Sequence, residues 1–272
     1  LKDKQGNLWL GFFQKGVMIV PPITNNFKYM GYKSSTHNTI GSCCIMSVYK
    51  DHNDSYWIGT DNDGIYCIAP DGKQKAHFEQ SPDIGHSVSS TIMSICEDSD
   101  RNIWIGSYRD GLAKLNPQTG HCEYVTLPYK NEEQVQSIYS IIEDNHRQLW
   151  VSAMGAGLYR INLDTKDVFR CPTPKSGLEY RLKGNMLHNS WINCLLYSCN
   201  DKLYIGTYDG LGCLDIPTMS FVSTYKVNRL LQGDVIYALY EDLHQNIWIG
   251  TSQGLKQLNH QTQEAVSYTH LR

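Results

Sequence analysis

The stretch EDSDRNIWIG (97–106) decides the reading of this chain, because it occurs six times in variant form. The other copies are KDKQGNLWLG (2–11), KDHNDSYWIG (50–59), EDNHRQLWVS (143–152), YSCNDKLYIG (197–206) and EDLHQNIWIG (241–250). Their aromatic residues are Trp9, Trp57, Trp104, Trp150, Tyr204 and Trp248, at intervals of 48, 47, 46, 54 and 44 residues. A period of this size filled with short strand patterns predicts an all-β chain, a β-propeller of repeated blades.

Each repeat reads as a four-stranded antiparallel meander. An inner strand such as Ile92-Met93-Ser94-Ile95-Cys96 carries a small residue at its third position: Ser47, Ser94, Ser140, Cys194 or Ala238 in the full repeats. An acidic turn follows. Asp98 stands six residues before Trp104, as Asp3, Asp51, Asp144 and Asp242 stand before their tryptophans; the fifth repeat has Ser198 there. A carboxylate at the start of a turn accepts main-chain N–H groups and closes the hairpin. The second strand then places a large aromatic side chain between neighbouring blades, where it buries about 150–250 Å². Glycine opens the third strand (Gly16, Gly64, Gly111, Gly157, Gly210, Gly254), which suits a tight hairpin needing positive φ. An Asx-type turn leads to the outer strand.

The repeats fall near 1–43, 44–90, 91–136, 137–190, 191–234 and 235–265, about six blades in one continuous domain. The first copy is expected to lack its inner strand and the last its outer strand. The insertion from Pro172 to Ser190 accounts for the interval of 54 residues. Residues 266–272, VSYTHLR, resemble a translated sequencing adapter, so the native chain is expected to end near Ala265.

The 272 residues are 41% hydrophobic and 19% charged, a globular balance that supports a sizeable core. With a net charge of −3 and no basic stripe, a nucleic-acid partner is not expected. No apolar run approaches the roughly 20 residues of a membrane-spanning helix. The nine cysteines contain no CxxC pair and read as small semi-apolar fillers. No GxSxG, HExxH, P-loop or His-rich metal spacing occurs, so no cofactor, metal or catalytic residue is expected. The Asp–Trp spacing resembles the Asp box of sialidases, but the S-x-D-x-G-x-x-W form of that box is missing.

The composite pattern, I-x-S-I-x-E-D, then N-I-W-I-G-T/S, G-L and L-N-P-x-T, resembles the two-component regulator propeller repeat over essentially all of 1–263. The fourth copy departs with Ser152 in place of glycine. The resemblance implies a seven-bladed ring. It also implies the periplasmic sensor region of an inner-membrane hybrid two-component system, with an oligosaccharide ligand, a homodimeric full-length sensor and a histidine kinase outside this chain. A propeller scaffold for protein–protein contacts or dimerisation is the second reading, and a glycan-active enzyme a third.

Two sets of loops at one end of the blades vary while the strands around them repeat, which is the pattern of a scaffold carrying one asymmetric site. One set leads into the inner strands; the other joins strands two and three. Aromatic faces suit sugar C–H patches, and planar polar groups suit hydroxyls. On that chemistry the candidate ligand residues are Phe12, Phe13, Tyr108, Arg109, His188, Trp191, Tyr208 and Asp209. His52, His146 and His244 lie in the acidic turns, at the opposite end.

Overall fold

The computed structural model describes residues 3–4, 8–12, 16–20, 31, 40–129, 134–172, 189–222, 231, 233–259, 262 and 264–268. It contains two compact units, residues 1–42 and 43–272. The first holds an antiparallel hairpin, β1 (Leu8–Phe12) and β2 (Gly16–Val20), with Trp9 opposite Ile19.

The second unit is a succession of five four-stranded antiparallel blades, each with its strands in chain order. The first is β3 (Ile45–Lys50), β4 (Tyr56–Thr60), β5 (Ile65–Ile68) and β6 (Gln74–Phe78). The second is β7 (Ile92–Glu97), β8 (Ile103–Ser107), β9 (Leu112–Leu115) and β10 (Cys122–Val125). The third is β11 (Ile138–Glu143), β12 (Gln148–Ala153), β13 (Gly157–Asn162) and β14 (Val168–Arg170). The fourth is β15 (Ile192–Ser198), β16 (Lys202–Thr207), β17 (Gly210–Asp215) and β18 (Ser220–Phe221). The fifth is β19 (Ile236–Glu241), β20 (Ile247–Thr251), β21 (Gly254–Leu258) and β22 (Ala265–Tyr268). The inner strands β3, β7, β11, β15 and β19 lie side by side in that order, so the chain is a β-propeller assembled blade by blade. The last blade differs from the sequence reading: β22 supplies a fourth strand and runs three residues beyond Ala265, pairing Leu258 with Ala265 and Leu255 with Tyr268. Most of the 172–190 insertion lies outside the described residues.

The core is not inside blades but between them. Trp57 packs with Ile92, Ile103 and Ile105 of the next blade; Trp104 packs with Ile138, Leu149 and Val151; Trp150 with Ile192, Leu203 and Ile205; Tyr204 with Ile236, Ile247 and Ile249. Each aromatic of one blade is thus buried by the blade that follows, the coupling of a linear repeat array.

The acidic turn serves the indole directly. Asp51, Asp98, Asp144 and Asp242 accept the indole N–H of Trp57, Trp104, Trp150 and Trp248 at 2.9, 2.8, 2.8 and 2.9 Å through Oδ2. Oδ1 of the same carboxylates accepts main-chain N–H groups, as in Ser55 to Asp51 at 2.8 Å and Asn102 to Asp98 at 2.8 Å. The turn places a non-glycine residue at positive φ three positions on: Asp54, Arg101, Arg147, Asp201 and Gln245. The fourth blade has neither indole nor aspartate. Tyr204 carries no N–H to satisfy, so Ser198 in the aspartate position costs nothing at that point; its hydroxyl donates instead to Glu241 at 2.6 Å.

The glutamates that precede Asp98, Asp144 and Asp242 do a separate job. Glu97 accepts the N–H of His52 in the preceding blade at 2.9 Å, Glu143 that of Ser99 at 2.6 Å, and Glu241 that of Cys199 at 3.1 Å. At the remaining junction Tyr197 stands in the glutamate position, and its hydroxyl donates to Asp201 Oδ1 of its own blade. The Glu-Asp dipeptide is therefore two clips, one across blades and one within a blade. Arg147 adds a further bridge, donating to Asp100 at 2.8 Å and to Asp164 at 2.7 Å.

The glycine after the aromatic is required by close approach. A Cβ on Gly106 would lie 2.2 Å from Ser94 Oγ and 2.6 Å from Ile138 Cγ2 of the next blade. This explains the small third residue of the inner strand: it faces the glycine and bonds onward, Ser47 Oγ donating to Ile92 O at 3.0 Å. Ser152 breaks the glycine rule. Its hydroxyl is fully buried and finds no partner among the described residues, while the opposed Ser140 accepts the N–H of Leu195 at 3.1 Å. The glycines that open the third strands, among them Gly64 and Gly111, have φ of 66° and 79°, as their turns demand.

All nine cysteines are free, and burial pushes the thiols of Cys96 and Cys171 up to about 12, consistent with packing residues.

Two outcomes follow. Ser152→Ala removes an unsatisfied buried hydroxyl and should raise stability by about 1 kcal/mol, measured as a higher urea midpoint; a lowered midpoint would show that the hydroxyl is paired. Burial opposes ionisation of Asp242, but hydrogen bonds from Trp248, Asn246 and His244 outweigh it and hold the carboxyl at about 2 against an ordinary 3.8. The unfolded chain then binds more protons in that interval, so this contribution is present above pH 3.8 and lost as pH falls towards 2. Asp242→Asn should flatten the acid limb of the stability curve there relative to the unaltered chain; identical limbs would contradict this.

Candidate ligand-binding face

The two variable loop sets meet because one hydrogen bond recurs in every blade of the second unit. The first residue after strand two donates its N–H to the carbonyl of the residue just before the inner strand. The pairs are Asp61 to Cys44 at 2.9 Å, Tyr108 to Thr91 at 3.2 Å, Met154 to Ser137 at 2.9 Å, Tyr208 to Trp191 at 3.0 Å and Ser252 to Val235 at 3.0 Å. The loops of neighbouring blades are also tied: Gly111 N–H donates to Gln136 O at 2.8 Å, and the Ser137 hydroxyl donates to Tyr108 O. A rigid frame of main-chain bonds therefore presents side chains that are free to differ.

Tyr108, Trp191 and Tyr208 are about half exposed, at 43, 50 and 43%. The Trp191 and Tyr208 rings meet edge to face, with centroids 5.8 Å apart. The Arg109 guanidinium lies 5.6 Å from the Tyr108 ring centre. Asp209 turns towards the fifth blade, its Oδ1 3.5 Å from where a Cβ on Gly233 would stand. Of the residues chosen from sequence, these five are set on this end of the second unit. Phe12 ends β1 in the first unit, described only in its main chain, and Phe13 and His188 lie outside the described residues.

Sequence reasoning missed Tyr139. Every inner strand of the second unit carries a β-bulge at its second residue, where the ladder skips a position between Ile45 and Ser47, Ile92 and Ser94, Ile138 and Ser140, Ile192 and Cys194, and Ile236 and Ala238. Bulges re-aim side chains and often border sites. The residues at the bulge are Met46, Met93, Tyr139, Asn193 and Tyr237, and Tyr237 is 61% exposed. Burial, then the nearby phenols of Tyr108 and Tyr208, push the Tyr139 hydroxyl above its ordinary value. Tyr139, two residues after the Ser137 whose hydroxyl bonds Tyr108 O, thus stands at the loop end on the blade between those carrying Tyr108 and Tyr208, and these aromatic side chains make up the patch. The signal in the sequence was the variable residue inside I-x-S, which alternation alone assigns to no role.

Two grooves flank the segment 134–136. One of about 580 Å³ includes Arg109, Asp110 and Tyr124; the other, of about 710 Å³, includes Tyr129, Met154 and Trp191. Patch and grooves together offer ring faces, phenol hydroxyls, amide groups from Gln134 and Gln136, and one guanidinium. They suit binding of a polyhydroxylated ligand; no nucleophile–base pair is set among these residues.

Residues 87–109 match the family model described as "Two component regulator propeller". The match covers the inner strand, acidic turn and second strand of the second blade. No curated protein sequence matches the chain. Among solved structures it is similar to the extracellular domain assigned to the hybrid two component system BT3049 of B. thetaiotaomicron, at 17% identity and a TM-score of 0.66, over 100% of this chain and 34% of that one. It is also similar to the extracellular domain assigned to the hybrid two component system BT4673 of B. thetaiotaomicron, at 17% identity and a TM-score of 0.72, over 98% of this chain and 36% of that one. The chain spans about a third of these two structures. A virginiamycin B lyase from Staphylococcus aureus shares the fold at 15% identity and a TM-score of 0.61, over 85% of this chain and 71% of that one. Among the described residues no helix is long and apolar enough to cross a membrane.

Proposed function

We propose that this chain is part of the extracytoplasmic sensor region of a hybrid two-component regulator anchored in the inner membrane, and that it receives an oligosaccharide on the patch formed by Tyr108, Tyr139, Trp191 and Tyr208. The observation carrying this reading is that patch: four aromatic side chains from three blades, grouped at the end where the loops vary. Aromatic faces pair with the C–H faces of sugar rings, while Arg109, Asp209 and the glutamines offer partners for hydroxyls. The repeat match and the two extracellular domains of similar fold support the sensor setting. Signalling would follow if the ligand binds one geometry of a homodimeric sensor better than another, since only a difference in affinity shifts such an equilibrium. The kinase chemistry belongs to modules beyond this propeller.

The test is calorimetric titration of this chain with a panel of soluble oligosaccharides. One of them should bind saturably and raise the melting temperature by mass action. The double substitution Tyr108→Ala with Tyr208→Ala should weaken that binding at least tenfold and leave the fold intact. Undiminished affinity in the double variant would remove the patch from the site. Consumption of the glycan during the titration would replace the sensor reading with an enzymatic one.

A further inference from the structure

A second constellation lies on the first complete blade, in the same loop end but away from the aromatic patch. Asp63 lies in the loop between β4 and β5, and His77 and Glu79 lie at the end of β6. One donor atom from each falls within 4.8 Å of the others. His77 Nε2 is 3.6 Å from Asp63 Oδ1 and 2.8 Å from the main-chain carbonyl oxygen of Asp63. Two ligands held about 2.05 Å from one tetrahedral zinc ion stand roughly 3.3–3.4 Å apart, so the first separation is already close to a metal bite. Asp63 and His77 are half-buried and Glu79 is exposed, which leaves an open approach.

One residue holds the first two ligands in place. The Tyr66 hydroxyl donates to Asp63 Oδ2 at 2.5 Å, which leaves Oδ1 facing the imidazole. The Tyr66 ring stacks on His77 with centroids 3.9 Å apart and planes 8° from parallel. Fixing a ligating carboxylate by a hydrogen bond from outside the ligand set is a recurring feature of built metal sites. The neighbouring blade shows that the fold does not require this arrangement. There Ala113 is opposite Tyr124 where Tyr66 is opposite His77. Asp110 keeps the aspartate, but Tyr124 replaces the imidazole, Thr126 the glutamate and Ala113 the supporting tyrosine, and the same hairpin forms.

We propose that Asp63, His77 and Glu79 bind a first-row divalent cation, with zinc the ion best suited to one imidazole and two carboxylates. The three side chains supply three ligands, the Asp63 carbonyl is a further oxygen within reach once the imidazole gives up its hydrogen bond, and a remaining position is open to water or to an oxygen of another ligand. No pattern in the sequence announced this, because Asp63 and His77 are 14 residues apart and meet only through the β5–β6 hairpin.

The experiment is zinc titration of the whole chain by calorimetry, repeated with cobalt for its absorption spectrum. Cys43 has to be separated from the site: the carbonyl of the adjacent Cys44 accepts the Asp61 N–H at 2.9 Å, so the thiol lies beside the same loop and could capture zinc itself. Saturable uptake of one ion is expected. It should fall at least tenfold in His77→Ala and in Glu79→Gln, the latter a surface change that leaves the core untouched. Tyr66→Phe should weaken it about 10-fold, as losses of supporting hydrogen bonds do. Asp110→Asn and Cys43→Ser should bind as the unaltered chain does, and the cobalt spectrum should lack a thiolate charge-transfer band. Absence of saturable uptake, retention of it in Glu79→Gln and His77→Ala, or its loss in Cys43→Ser would each overturn the proposal.

Discussion

The hydrogen bond from a buried indole N–H to the aspartate six residues upstream is the interaction on which the rest of this structure depends. A tryptophan wedged between blades contributes more apolar burial than any other residue type, yet it brings a polar N–H into a place without water. Leaving that group unpaired would cost about 1–3 kcal/mol per blade. The carboxylate that starts the turn removes the cost and, with its other oxygen, fixes the turn itself. One side chain thereby couples strand register to inter-blade packing. The fourth blade shows the coupling by its exception. When tyrosine replaces tryptophan the aspartate is dispensable, and both changes occur together in Tyr204 and Ser198. The tyrosine is still buried against Ile236 and Ile249, so the apolar half of the interaction persists while the polar half is gone.

A glutamate clip at three of the four junctions between the five complete blades, with aromatic burial at all four, makes each blade depend on the next, as expected of a quasi-one-dimensional array. It also concentrates structural demands at one end and along the blade interfaces. The opposite end is framed by main-chain hydrogen bonds, which are indifferent to side-chain identity. That division of labour lets Tyr108, Met154, Tyr208 and Ser252 occupy equivalent positions with unrelated chemistry. It also lets an imidazole and two carboxylates meet on one blade with only the aspartate kept on the next.

Much of this was written locally in the chain. The Asp–Trp interval, the glycine at positive φ and the small residue opposite a glycine are each set by contacts within about ten residues, so a repeat exposes them. The glutamate clip was not legible, because Glu97 and His52 are 45 residues apart and a turn acid reads as solvated. The bulge at Tyr139 was hidden for another reason: alternation predicts which face a residue takes, and a bulge breaks alternation. The outer strand of the last blade was missed because Ala265–Tyr268 has no repeat signature and residues 266–272 resemble a translated adapter. Of the candidate ligand residues, the sequence located loops well, since glycine and aspartate punctuate them. It could not rank them, since Tyr108, Tyr139 and Tyr208 come together only when three blades are stacked.

The most direct measurement is hydrogen exchange of the tryptophan indole N–H groups, followed by ¹⁵N-resolved NMR. Trp57, Trp104 and Trp150 are buried and bonded to their aspartates, whereas Trp191 is half exposed and provides an internal reference. The account predicts that the three buried indoles exchange only with unfolding of their blade interfaces, in step with the main-chain amides of the adjoining strands, while Trp191 exchanges rapidly. Fast exchange at Trp104 or Trp150 alongside protected strands would show that the aspartate bond does not hold the indole, and would contradict the account at its base.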